Sequence, residues 1–588
     1  MSPNPLALRA GPWRLTLTPD GAISRASVYG IEVLHSLMIV VRDDAWGTVP
    51  GTVNVSSADA NEHGFTVELR AAHVGGNVRF DWHGTLTGTE ARVTIEFEGL
   101  ARQRFESNRI GFVALHPLSC AGREVTIVHP DRSTSSSSYP VAVAPHQPFM
   151  DVAAFRQVID QGTVSVEFEG DVFETEDQRN WSDASYKTYS RPLALPFPVV
   201  FNEGDTVRQK VRLGFEPNSL RAAKCVPLEQ SSEVTEVRLG ELAPLPSVGL
   251  TVGPDDHVGA LAAEIALLAP DFLRLDLVLG EELRGADALR DALASSRLPL
   301  QLALHVGSSP EASLTELRDL LDGNGDRLAS IAVFDAEAPV TTQRAMSAVV
   351  LTLGDLIAGV AVIVGTDDNL AELNRNPVFL AEFGAAAVTF SLNPGVHDLR
   401  AVSILETPDA LPAMVQTAQA LAGGPLVLGP LTLRPRRNLY RAGARIDRLA
   451  RDAAATDERQ DTGFAAAWLI ATVGAAVASG VEAVTLFEIC GPRGLVAAPG
   501  GARYPLFDVV AELGAAKQAM CCSIGRPSDV AALALADDAG VVTTLLLANR
   551  TDAVQTILLP ETGERRVLAA FGIEIVPRNI DSRKKVTQ

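Results

Sequence analysis

Between Glu174 and Tyr189 the chain reads Glu-Thr-Glu-Asp-Gln-Arg-Asn-Trp-Ser-Asp-Ala-Ser-Tyr-Lys-Thr-Tyr. Carboxylates, a guanidinium, an amine, amides, hydroxyls and aromatic faces stand together there, the groups needed to hold a polyhydroxylated ligand and polarise one of its bonds. Ordering so polar a run is costly unless its groups find partners. The flanking segments 164–170 and 193–200 are strand-like. The run therefore reads as a long loop between strands, where binding and catalytic groups concentrate. A solvated hairpin tip is the plainer alternative.

Three further polar clusters precede it: Val41-Arg-Asp-Asp-Ala-Trp-Gly-Thr48, Asn108-Arg-Ile-Gly-Phe-Val-Ala-Leu-His-Pro117 and His146-Gln-Pro-Phe149. A solvated edge strand would explain any one of them; together with the run they suggest a polar groove. Other chemistries find no support. No Ser sits in a GxSxG elbow, no GxGxxG follows a strand, and the ten histidines form no HExxH or HxH pair. No cofactor or dedicated metal site is expected on these grounds, although ligands for a metal can come from separate strands. Acid/base work by carboxylates and His, assisted by Arg and Lys, is what remains.

The elements that must position these groups change character along the chain. Up to about residue 240, short alternating runs such as 13–18, 65–70, 78–82, 91–97 and 206–213 give the period-2 pattern of an antiparallel β-sandwich. Residues 216–246 are mixed in composition and carry the chain to the next domain. From about 245 to 525, short apolar runs alternate with helical patterns at 258–268, 311–321, 410–421 and 463–478, the signature of repeated βα units. Eight strands are expected, at 248–252, 272–279, 298–306, 331–335, 360–365, 387–392, 426–433 and 483–488, the number that closes a (β/α)8 TIM barrel. An open doubly wound sheet would favour a Gly-rich phosphate loop after its first strand, and Thr251-Val-Gly-Pro-Asp-Asp-His257 is not one. The tail, 526–588, returns to strand patterning and is expected to form a small β-domain, completed by strands from the N-terminal half.

In such a barrel, chemistry sits where the strands end at their C-terminal side. The residues there are polar throughout: Arg274 and Asp276, His305, Asp335, Thr366, Asn393 and His397, Thr432 and Arg434, and Glu488. Arg274 and Asp276 could equally form an internal salt bridge. Glu488 stands out because it ends Thr-Leu-Phe-Glu488 and is followed by a Gly-Pro turn.

A length of 588 residues implies two or three domains. The net charge of −21 argues against nucleic acid or an anionic membrane surface as partner, leaving a neutral or weakly charged small molecule. Met1-Ser-Pro-Asn-Pro-Leu-Ala-Leu-Arg-Ala lacks signal-peptide features, and Cys120, Cys225, Cys490, Cys521 and Cys522 show no paired spacing; a reduced, cytoplasmic protein is expected. The Ala-rich stretch 464–481 reads as a buried helix against a sheet rather than a membrane span.

The run 173–189, with Arg42-Asp-Asp-Ala-Trp-Gly-Thr48, Asn108-Arg109, Leu115-His-Pro117 and His146-Gln-Pro-Phe149, resembles the D-apionate lactonase family. The resemblance continues through Asn393-Pro394 with His397, Thr432-Leu with Arg437 and Asn438, Arg459-Gln460, and Glu488 with Gly491. It departs at Val396-His-Asp-Leu-Arg400 and at Ile489-Cys490, where the family carries a different order and hydroxyl residues. It implies an N-terminal β-domain, a TIM barrel and a C-terminal β-domain, and an enzyme that hydrolyses D-apionolactone to D-apionate. Lactone hydrolysis needs a base for water, donors for the oxyanion and an acid for the alkoxide. On this reading Glu488 or Asp177 is the base, and Arg179, Asn180 and Lys187 supply donors. Trp181 faces the sugar carbons, and His397 with Asn393 orients the polyol; Arg274, Asp276, Arg109 and His116 complete the expected binding residues. The alternatives are a retaining glycoside hydrolase, with Asp335 and Glu488 as its carboxylate pair, and an inactive carbohydrate-binding relative.

Overall fold

The computed structural model describes residues 5–61, 63–218, 234–253, 256–436 and 455–581. Cys225, Arg437 and Asn438 lie outside the described residues, as do Pro254, Asp255 and much of the expected crossing stretch 216–246. The chain divides into two compact units: Met1–Gln178 with Ser185–Ser231, and Arg179–Ala184 with Ser232–Gln588.

The first unit is built from two large antiparallel sheets. One has eight strands, with Ile31–Arg42, Arg109–Pro117, Ser185–Tyr189 and Phe173–Asp177 adjacent in that order; the other has nine and includes Phe65–Gly75, Val78–Gly88, Arg92–Ala101 and Thr206–Pro217. Alternation makes the layers: along Val78–Gly88 the inward positions Val78, Phe80, Trp82 and Leu86 are buried, with more accessible residues between them. They join Trp13, Phe112, Phe155 and Phe173 in one apolar core, each large side chain contributing about 1.5–3 kcal/mol on burial.

The run 174–189 departs from its expected form. It is a hairpin, not a long loop: Phe173–Asp177 pairs antiparallel with Ser185–Tyr189, Glu176 opposite Lys187, and a 3-10 turn, Gln178–Trp181, forms its tip. All ten strand residues are buried. Polar side chains occupy both faces and satisfy one another, so the apolar alternation that announces a strand never develops. The downstream flank also differs. Only Val199–Phe201 is a strand, because Pro192, Pro196 and Pro198 withhold the N–H groups a ladder needs.

In the second unit, eight parallel strands close a TIM-like barrel: β1 Ser247–Thr251, β2 Phe272–Leu279, β3 Leu300–Val306, β4 Leu328–Asp335, β5 Ala361–Gly365, β6 Ala387–Leu392, β7 Leu426–Leu431 and β8 Ala483–Glu488. β1 pairs with both β2 and β8, which closes the ring. The strands read as nearly unbroken apolar runs because parallel strands are covered on both faces. Helices Glu311–Leu321 and Gly463–Ala478 occupy their expected spans. The second is buried along most of its length and packs against the C-terminal strands; among the described residues no helix is long and apolar enough to cross a membrane.

The C-terminal β-domain joins Val530–Ala536, Val541–Asn549 and Ile573–Asp581 to Leu242–Pro244 and Gln518–Cys521; a smaller sheet takes in Val234–Arg238. The completing strands thus come from residues 234–244, within the stretch read as a connection, and from 518–521, within the stretch read as barrel.

Close packing between β5 and β6 leaves no room at Gly365. Its φ is +136°, and a Cβ there would lie 2.2 Å from the Thr389 carbonyl oxygen. Gly365→Ala is expected to destabilise the barrel by about 1–3 kcal/mol, read as a lower urea midpoint; an unchanged midpoint would contradict this packing.

Candidate active site at the C-terminal face of the barrel

The interior of the barrel mouth is organised by Arg274 on β2, whose side chain is 2% exposed. Its guanidinium donates to Asp276 at 2.9 Å and to Asp367, just past β5, at 2.7 Å. Arg436, beyond β7, adds a second guanidinium: it bonds Asp276 Oδ2 and lies 3.5 Å from Asp367. His305, at the end of β3, brings Nε2 to 3.4 Å from Asp276 and 3.8 Å from Asp367, and its ring stacks on Phe334. Burial alone would raise the Asp276 carboxyl. Arg274, Arg436 and His305 outweigh it and hold that group well below the usual carboxylate range.

One ligand atom from each of Asp276, His305 and Asp367 lies within 4.8 Å of the others, a spacing that could hold a cation. The two guanidiniums already balance both carboxylates, however, so a divalent ion would enter against two positive charges.

Glu488 ends β8. Arg493 approaches its Oε1 at 2.9 Å and its Oε2 at 3.2 Å. The turn that carries Arg493 is held by Gln460, which donates to the Gly494 carbonyl at 3.0 Å. Burial pushes the Glu488 carboxyl up, Arg493 and Arg436 pull it back, and the balance leaves it above its ordinary value, with Asp256 adding to the rise. Two carboxylates in one mouth are thus driven in opposite directions, the condition under which one fold separates proton-holding from purely electrostatic roles.

A third group forms beyond β5 and β6. The hairpin tip Arg179–Ala184 is part of the barrel unit. Ser182 donates to the Asn393 carbonyl at 2.8 Å, and Asn374 donates to Asn180 Oδ1 at 3.0 Å. Asp183 Oδ2 meets His397 Nδ1 at 2.8 Å, while the His397 ring stands edge-on to Trp181 with centroids 5.1 Å apart. Arg375 covers the Trp181 ring at 4.9 Å. Arg179 is buried. The Asn393 side-chain oxygen is buried and meets no hydrogen-bond donor among the described residues, a deficit of about 1–3 kcal/mol that a ligand hydroxyl could relieve.

The remaining expected residues belong to the N-terminal unit. The Asp177 carboxylate accepts from the Ala144 N–H at 3.0 Å. Lys187 donates to Glu176 at 2.6 Å; burial lowers its pKa and Glu176 only partly restores it. Arg109 lies 3.7 Å from the Tyr189 ring centroid and donates to the Arg191 carbonyl. His116 sits between Thr188 and Tyr139, and burial lowers its pKa to about 3, so its ring is neutral. Asp43, in the first polar cluster, accepts from the N–H groups of Ala45 and Gly47 and so closes a turn.

Three strand-end residues are engaged elsewhere. Asp335 accepts from Arg344, Thr342 and the Glu337 N–H, which occupies the carboxylate a glycosidase pair would need. Arg434 pairs with Asp457, itself held by Arg459. Thr366 donates to the Pro339 carbonyl. Asp367, Arg436, Arg493 and Asp183 were not singled out from sequence. The first two stand one and two positions beyond residues that were, which shows how far the loops carry the site past the strand ends.

Three family models match the chain in succession: the D-apionate lactonase N-terminal domain over residues 1–218, its TIM barrel domain over 248–518 and its C-terminal immunoglobulin-like domain over 527–576. A D-apionate lactonase of Brucella anthropi is 29% identical over 596 residues, covering 95% of this chain and 94% of its own. Among solved structures, a β-arabinopyranosidase aligns with 98% of this chain and 99% of its own at 12% identity and a TM-score of 0.31. A family 30 subfamily 8 xylanase from Clostridium acetobutylicum aligns with 60% of this chain and 98% of its own, at 12% identity and a TM-score of 0.36. Matched in order from its first β-domain through the barrel to its last, the chain belongs to the D-apionate lactonase family.

Proposed function

We propose that the chain is a carboxylic ester hydrolase that opens a sugar-acid lactone, D-apionolactone to D-apionate, at the C-terminal face of its barrel. The observation that carries this reading is its similarity, along 95% of its length, to a protein named D-apionate lactonase. The chemistry of the mouth supports it. Ester hydrolysis develops negative charge first on the carbonyl oxygen and then on the departing ring oxygen. Arg436 and Arg493 flank Glu488 with positive charge, suited to the first. A carboxyl held above its ordinary pKa is suited to exchange a proton with the second. Asn393 offers a buried acceptor to a substrate hydroxyl, and the substrate, once opened, is an anion that guanidiniums tolerate. Asp177, with its carboxylate turned to a backbone N–H, acts as a structural residue of the hairpin.

Ring opening of a panel of aldonolactones, followed by proton release, tests the reading. Glu488→Gln should lower kcat on the preferred lactone by about 10²–10⁴, whereas Asp177→Asn should leave kcat within a few-fold. Failure of the parent protein on every lactone sinks the proposal, and the reverse pattern of variants moves the chemistry to the hairpin.

The Glu488 shift has a signed consequence for stability. Its carboxyl is raised in the fold, so the fold favours the protonated form; that contribution is fully present below the unfolded pKa of about 4.3 and is lost as pH rises through the folded value. Gln cannot ionise. The melting temperature of Glu488→Gln relative to the parent should therefore climb from about pH 4 upward and then level off. A difference that stays flat with pH, or falls, would contradict the assignment.

A further inference from the structure

Asp183 and His397 lie 214 residues apart in sequence and share a 2.8 Å contact within the barrel unit. The contact uses Nδ1. With Nδ1–H donated to a carboxylate, the imidazole is fixed in the tautomer whose Nε2 carries a lone pair. Among the described residues that Nε2 meets no hydrogen-bond partner, and the side chain keeps 23% of its surface open. The ring is also fixed in rotation, by the Trp181 edge on one side and by the pinning of the tip through Ser182 to the Asn393 carbonyl. A merely buried histidine needs none of this. The neutral His116, enclosed between Thr188 and Tyr139 with both ring nitrogens engaged, is the internal contrast.

We infer that His397 Nε2 is the general base that activates water, and that Asp183 is its positioning residue, delivered to the barrel by the hairpin tip. The inference rests on the lactonase reading above and changes the role of His397 from orienting the polyol to taking a proton. Water oxygen bonds to the lactone carbonyl carbon as Nε2 takes one water proton and the carbonyl π pair moves onto oxygen. When that pair returns, the ring C–O bond breaks and the departing alkoxide takes the Glu488 proton. The imidazolium restores that proton to Glu488 through solvent, and the new carboxylic acid ionises. Asp183 stabilises the imidazolium while it exists and does not itself become protonated, the division of labour of an Asp-His pair.

The test is the measurement of kcat and kcat/KM on the preferred lactone for Asp183→Asn, His397→Ala and the double variant, with folding followed by circular dichroism. Asp183→Asn should lower kcat by about 10²–10⁴ with KM little changed. In the His397→Ala background the same substitution should cost less than about two-fold, because its effect passes through His397. Added imidazole should restore part of the His397→Ala rate, and Asp183→Glu should retain more activity than Asp183→Asn. Near-parental kcat in Asp183→Asn, or a further large loss in the double variant, overturns the inference while leaving the lactonase reading in place. Should Asp183→Asn fail to fold, absence of imidazole rescue in His397→Ala overturns it equally. A parent that opens no lactone overturns both.

Discussion

A guanidinium almost wholly removed from water is stable only where carboxylates meet it, and Arg274 imposes that condition on the mouth of the barrel. Asp276 and Asp367 are drawn to it from two different strand ends, Arg436 closes the network from a third, and His305 borders it from a fourth. Removing one member would leave a buried charge uncompensated, at a cost of about 3–5 kcal/mol. The network therefore ties Asp367 and Arg436, in the described segments just past β5 and β7, to Arg274 and Asp276 on β2. Its near-complete internal neutralisation also leaves Glu488, beside it, as the carboxyl that burial holds above its ordinary value and so inclines to keep its proton.

The hairpin 173–189 obeys the same rule in another setting. Glu176 is satisfied by Lys187 directly across the ladder, Glu174 accepts from Tyr189 and the Leu193 N–H, and Thr175 meets Thr188. Both glutamates are buried next to a donor supplied by the partner strand or the segment after it, and Asp177 accepts from the Ala144 N–H. This accounts for the density of polar residues in the strands, whose groups satisfy one another, while the tip carries Trp181 and Asp183 into the barrel unit.

Most of the barrel was legible in sequence because parallel strands covered on both faces must be continuously apolar. β2, β6 and β8 occupy their expected spans, and the others shift at their ends by a few residues. The hairpin was not legible as strands for the opposite reason: both faces are polar and buried, so neither alternation nor an apolar run marks it. The site was legible as far as the strand ends reach. Arg274, Asp276, His305, Asn393 and Glu488 follow from that rule, whereas Asp367 and Arg436 stand past the strand ends, where no apolar run marks a position. No local pattern could pair Asp183 with His397. That contact depends on a tip whose six residues pack with the barrel although the chain on either side of them belongs to another unit.

That inserted tip makes the barrel discontinuous in the gene although it is continuous in space. A barrel excised at residue 232 would lose Asn180, Trp181, Ser182 and Asp183 together, along with their contacts to Asn374, Asn393 and His397. The N-terminal domain is therefore not a module that recombination can exchange freely. Any replacement would have to keep these six residues, which the barrel unit holds as its own.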